Sequence, residues 1–166
     1  VAQSFNYALS KITSEFFFIT QPDVTIKKNC IENLIKSAKV YKDVAILSPV
    51  IYEEGSYSEF DFYNLKITEE NKLSKNQKKK EKNRKIKEPV NNFTVEAINS
   101  TALLVKTAIM KEVGGWDSNF YTYLEDIDIS LRVRQLGYKI IKIVNSKANH
   151  LGFSSHKIEN KESIDR

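Results

Sequence analysis

The chain has 166 residues, 41% of them hydrophobic and 28% charged, which suits one globular domain with one core and excludes a disordered polymer. No apolar run approaches the ~18 residues that would cross a bilayer as a helix, and the opening residues show no signal-peptide pattern. The net charge of +5 is local: residues 75–87 hold eight basic residues and one acid, and without them 18 basic side chains face 20 acidic ones.

Phe5, Ala8, Leu9 and Ile12 fall at helical spacing and predict a helix over 3–13. The run Phe16 to Thr20 then reads as a buried strand, stopped by Gln21-Pro22-Asp23. Helical spacing returns over 27–40 through Ile31, Leu34, Ile35 and Ala38, and Val44 to Val50 reads as a second buried strand. This alternation predicts crossover units and a largely parallel sheet. Cys30 lies on the second helix as a small apolar filler; a single cysteine excludes an internal disulfide and fits a reducing compartment.

Periodicity fails from Glu53 to about Asn92. Residues 56–67 read as partly ordered and 68–89 as a flexible basic loop, because dense like charge without apolar content stays solvated. Strand character resumes over 93–98 and 102–105, interrupted at Asn99-Ser100. A short helix over 107–113 and a longer one over 123–136 follow. Tyr138 to Val144 is a further strand, 148–150 a short extended piece, and the polar residues after Gly152 a frayed tail.

The chemistry gathers in 114–138. A Gly114-Gly115 turn leads into an aromatic loop, and the loop feeds a helix whose first turn carries Glu125, Asp126 and Asp128. Crowded carboxylates can house a general base whose pKa is raised by like charge. The same residues also read as ordinary helix chemistry. Thr122-x-x-Glu125 has capping-box spacing, acids favour a helix N-terminus, and Asp128 and Arg132 are spaced for an i,i+4 ion pair. Asp23 reads either as a turn residue or as a metal ligand, His150 as a hydrogen-bonded strand end or a second ligand, and Trp116 as a core anchor or a stacking platform for a sugar.

These motifs, in this order, resemble the family-2 glycosyltransferases and within them the rhamnosyltransferase-like branch. Four blocks carry the resemblance. Phe5 to Val24 leads to Gln21-Pro22-Asp23, in the place of the family's Asp-x-Asp or Asn-Pro-Asp. Val95 to Val105 is similar to the family's acceptor-side strand pair. Gly114-Gly115-Trp116-Asp117 with Glu125-Asp126-x-Asp128 and Arg132 is similar to Gly-Gly-Phe-Asp…Glu-Asp-x-Asp…Arg. His150 with Ser154-Ser155 resembles a closing His segment.

The resemblance implies an α/β fold: a partial GT-A (Rossmann-like) mixed sheet flanked by helices, with the long basic loop inserted. It implies one catalytic domain over 1–156 followed by a polar tail over 157–166. The family's opening strand–helix–strand has no counterpart, so the domain is expected to be N-terminally incomplete. The activity implied is inverting transfer of a sugar from a nucleotide-diphosphate sugar to a hydroxyl of a glycan or lipid-linked acceptor. Asp126 is the implied base. Asn6, Gln21 and Asp23 fall on the donor side, and Trp116, Tyr123 and Glu125 on the acceptor side with Tyr121 beside them. Asp23 and His150 are the implied ligands of Mg²⁺ or Mn²⁺; Gln21 brings no charge to the first acidic position. The expected location is cytoplasmic, at the inner face of the membrane, where the lysine run could meet anionic lipid. That run lacks interleaved aromatics, which argues against specific nucleic-acid recognition. The uncharged Gln21 and the missing opening segment leave one alternative, a truncated, non-catalytic glycan- or partner-binding remnant.

Overall fold

The computed structural model describes residues 2–53, 55–58, 62–63, 88–120 and 123–151. The basic run, Tyr121, Ser154, Ser155 and His156 lie outside the described residues. The element order is α1 (Ala2–Lys11), β1 (Phe16–Thr20), β2 (Val24–Ile26), α2 (Cys30–Val40), β3 (Val44–Glu53), β4 (Ser56–Tyr57), β5 (Phe62–Tyr63), β6 (Phe93–Val95), β7 (Ala97–Ile98), β8 (Ala102–Lys106), α3 (Thr107–Glu112), α4 (Glu125–Gln135) and β9 (Lys139–His150). No helix among the described residues is long and apolar enough to cross a membrane.

The main sheet has the order β1-β8-β3-β9-β2, with β4 on β3 and β6 on β9; β5 and β7 form a separate pair. It is mixed, as the resemblance implies, and this corrects the largely parallel sheet predicted from the alternation of elements. The β3–β9 pair is parallel, but β8 runs antiparallel to both β1 and β3, and β2 and β6 run antiparallel to β9. Alternation of helices and strands does not report strand direction when strands as short as β2, which periodicity missed, enter the sheet.

Both faces of the sheet are covered, so its central strands are apolar on both sides. In β3, Ile46 packs among residues of α1 and α4, while Leu47 packs among Cys30, Leu34 and Ala38 of α2. In β8, Val105 and Leu104 divide in the same way. The 4-residue spacing of the buried α2 residues puts them on one stripe. Burial pushes the Cys30 thiol up to about 11, in keeping with an inert filler.

β9 joins the two pieces expected at 138–144 and 148–150 into one strand. Its pairing with β3 slips between Ile143 and Lys147, and the extra residues are held by side chains. Asn92 Oδ1 accepts from the Val144 N–H at 3.0 Å, Asn33 Nδ2 donates to the Asn145 carbonyl at 2.7 Å, and the Ser146 hydroxyl donates to the Cys30 carbonyl at 3.1 Å. This bulge lets β9 continue to His150 in register with the end of β3.

Candidate active site

Strand direction assembles the site. β1, β3 and β9 run the same way, so Thr20, Glu53 and His150 reach one edge of the sheet, where β8 begins. Ligands of open α/β sheets bind outside the carboxyl ends of such strands. A cavity of about 710 Å³ opens at this edge. Its walls are Ser4 and Phe5 of α1, Thr20 to Pro22 after β1, Asn99 to Thr101 before β8, Tyr123 to Ile127 at the start of α4, and His150. The acids after Tyr123 and the turn after β1 therefore share one cleft, although about a hundred residues separate them in sequence.

The start of α4 is held by backbone strain. Tyr123 and Leu124 both take left-handed conformations, with φ of 67° and 70°. Two such residues in succession, neither of them glycine, are costly and concentrate at functional sites. Leu124 is the residue before the helix, and no side chain caps it. Glu125 is the first helical residue rather than the third that the capping-box spacing expects, and Thr122, the other half of that spacing, lies outside the described residues. Glu125 is 6% exposed, and its Oε2 is buried without a hydrogen-bond partner. Tyr123 stands exposed at the cavity mouth.

Asp126 accepts the Ile127 N–H at 2.8 Å through Oδ1. Its carboxyl is raised above the ordinary range, first by burial and then by the charge of Glu125, with the Ile127 N–H pulling the other way. Like charge was the expected cause, and desolvation exceeds it. Asp128 takes no part, because Arg132 binds its Oδ2 through Nε at 2.8 Å and Nη2 at 2.5 Å. Arg132 Nη1 also donates to the Val113 carbonyl at 3.1 Å, tying α4 to the loop after α3.

His150, also in the lining, stands between two carboxylates. Its Nε2 is 3.3 Å from Asp23 Oδ2 and its Nδ1 is 2.9 Å from Glu53 Oε1. Asp23 is fixed by its turn: the Leu151 N–H donates to the Asp23 carbonyl, and the Val24 N–H to the Gln21 carbonyl. The Gln21 N–H donates to the Thr101 carbonyl at 3.0 Å, stitching this turn to the start of β8.

Asn6 and Trp116 stand apart from this cavity. Asn6 Nδ2 donates to the Trp116 carbonyl at 2.6 Å and its Oδ1 accepts the Trp116 N–H at 2.8 Å. Both ends of the amide are engaged, so Asn6 clamps α1 to the Gly-Gly loop. Trp116 is 2% exposed, with its ring centroid 5.0 Å from that of Phe5 and 6.4 Å from that of Phe17. The indole is enclosed by protein as a core anchor, one of the two roles its sequence position offers.

The chain aligns with a crystal structure of GalNAc-T7 bound to UDP, GalNAc and Mn²⁺ at a TM-score of 0.64 and 14% identity, covering 91% of this chain and 30% of that one. It aligns with A197 from STIV at a TM-score of 0.54 and 11% identity, covering 88% of this chain and 62% of that one. The fold is glycosyltransferase-like. No protein-family model matches the chain, and no curated protein sequence matches it. This chain spans less than a third of the GalNAc-T7 chain, and identity this low reaches the fold alone.

Within this glycosyltransferase-like fold, sequence reasoning missed Glu53. Its signal was the acid that ends the apolar run Val44 to Tyr52, at the carboxyl end of a central strand. It also missed Lys142, buried on β9, whose Nζ donates to the Ser48 hydroxyl at 3.1 Å and lies 5.9 Å from the centre of the Phe62 ring. No group of three or more His, Cys, Asp or Glu side chains among the described residues is arranged to hold a metal unaided. His150 lines the cavity; its Nε2 meets Asp23, which follows the lining residue Pro22, and its Nδ1 meets Glu53.

Proposed function

We propose that this chain carries the catalytic part of an inverting, family-2-like glycosyltransferase, moving a sugar from a nucleotide-diphosphate sugar to a hydroxyl acceptor in glycan or cell-surface polysaccharide synthesis. One observation carries the reading. Asp126, with its raised carboxyl, and His150, which pairs with Asp23, line one cleft of about 710 Å³.

Asp126 is the general base that takes the proton of the attacking hydroxyl. Burial raises its basicity toward the range where it competes for that proton, and the Ile127 N–H orients the carboxyl through Oδ1. The unpartnered Oε2 of Glu125 accepts a hydroxyl of the bound sugar, and Tyr123 offers its exposed ring at the mouth. Asp23 and His150 face the donor diphosphate. An Asp Oδ2 and an imidazole Nε2 at 3.3 Å are two lone-pair donors, an arrangement that a proton or a cation between them makes favourable. Mg²⁺ or Mn²⁺ held there would neutralise charge growing on the leaving diphosphate, with substrate phosphates completing its shell. Outside the cleft, the basic run at 75–87 draws the domain to anionic lipid at the inner face of the membrane, near a lipid-linked acceptor.

Donor turnover tests the reading. With UDP-sugars and Mn²⁺, Asp126→Asn is expected to lower transfer or donor hydrolysis by ~10²–10⁴-fold; a loss of less than about tenfold counts against a general base. The uncharged Gln21 favours a second reading, a non-catalytic glycan- or partner-binding remnant. Tight, metal-dependent binding of a UDP-sugar by the wild-type chain would exclude it; no such binding would favour it.

A further inference from the structure

Glu53 closes β3 at the lip of the cavity. Its partner across the parallel pair is His150, so a strand ladder rather than a loop sets the spacing of the two side chains. Glu53 Oε1 lies 2.9 Å from His150 Nδ1, and Glu53 Oε2 accepts the Ser58 hydroxyl at 3.2 Å. Ser58 is itself buried, and its N–H donates to the Ile51 carbonyl at 2.9 Å, where the chain folds back along β3. A buried hydroxyl, a carboxylate and an imidazole thus form one line that ends at Asp23, with His150 in the lining of the cleft.

A carboxylate oxygen only accepts, and of the two carboxylates Glu53 is the nearer and the hydrogen-bonded one, 2.9 Å against 3.3 Å for Asp23, so Nδ1 is the nitrogen that donates. An imidazole left to itself chooses between two tautomers. Here the choice is made by a partner on a rigid strand, and the lone pair is left on Nε2, toward Asp23 and the cavity. Carboxylates placed behind metal-binding imidazoles act in this way, fixing the tautomer, the ring orientation and the basicity of the ligand.

We infer that Glu53 is the positioning residue of the Asp23–His150 pair, presenting His150 Nε2 to the cleft as a ligand. The identity of the cation rests on the glycosyltransferase reading; the tautomer does not. Two measurements on the full chain separate the two. The first is the ring ¹⁵N chemical shifts of His150 at alkaline pH, with His156 assigned through His156→Gln. The second is Mn²⁺ binding in the presence of UDP, followed by electron paramagnetic resonance. Wild type is expected to hold the Nδ1–H tautomer. Glu53→Gln keeps it, because the amide oxygen still accepts, whereas Glu53→Ala releases the ring to the Nε2–H form. Mn²⁺ affinity should fall ~10–100-fold in Glu53→Ala and less in Glu53→Gln. Should Glu53→Ala fail to fold, Ser58→Ala, which removes only the hydroxyl behind Glu53, should give a mixture of tautomers. An Nε2–H form in wild type, or a tautomer unchanged by Glu53→Ala together with Mn²⁺ affinity within about twofold, would overturn the inference. If Mn²⁺ binds no variant while the tautomer still switches, the positioning role stands and the metal reading falls.

Discussion

Asp126 shows how one residue carries opposing demands. In the folded chain its carboxyl is raised, chiefly by burial. An acid of this kind favours folding while it is protonated. That contribution is complete below its unfolded pKa and is lost as pH rises through the folded one. Asp126→Asn is therefore expected to melt higher than wild type at neutral pH, with the difference closing in acid; thermal unfolding over a pH series measures it. The same raised value predicts an acid limb in the rate profile, where activity falls as the base becomes protonated, and that limb should be absent from the residual activity of Asp126→Asn. Cys30 makes the opposite case. With its thiol pushed up to about 11 and its side chain buried, it should resist alkylation at pH 8 until the chain is unfolded, which mass spectrometry reads directly. The sequence marks Asp126 as a candidate because the Glu-Asp pair sits in a known pattern of residues. It does not mark Glu53, since an acid ending a strand acquires meaning only when His150 is found beside it.

Between elements, the least obvious joint is the clamp from α1 to the Gly-Gly loop. Asn6 gives and accepts a hydrogen bond at Trp116, and Gly115, with φ of 73°, lets the loop pass so close that a Cβ there would collide with the Asn6 amide oxygen. Asn6→Ala should cost ~1–3 kcal/mol, because it strands buried backbone groups of Trp116. Gly115→Ala should destabilise as well, through both the clash and the positive φ. Denaturant melts of the two variants check both, and a near-neutral effect of either would mean the loop is held by other contacts. Element boundaries were largely legible. β1 matches its predicted span residue for residue, because an apolar run ended by Gln-Pro-Asp leaves little choice. α4 begins at Glu125 rather than Tyr123, because two left-handed residues precede it and neither is a glycine to announce them.

For the whole molecule, the central consequence is that one edge of a mixed sheet collects the ends of β1, β3 and β9 and the start of β8. A ligand bridging the residues that line that cleft binds only the folded chain. UDP with Mn²⁺ at about a hundred times its dissociation constant should add ~2.7 kcal/mol to stability. Either component alone should add much less, and calorimetric melts with each separately and with both test this. Equal shifts with and without Mn²⁺ would remove the cation from the site. By itself the sequence determined where helices and strands form and which carboxylates gather at the start of α4. Those properties follow from periodicity and turn chemistry, which act over a few residues. Only the tertiary structure decided strand direction, the placement of Trp116 in the core, the engagement of Asn6 and the meeting of Asp23, Glu53 and His150. Each of these depends on contacts between segments distant in the chain, and nothing in the local pattern of residues records which strand will lie beside which.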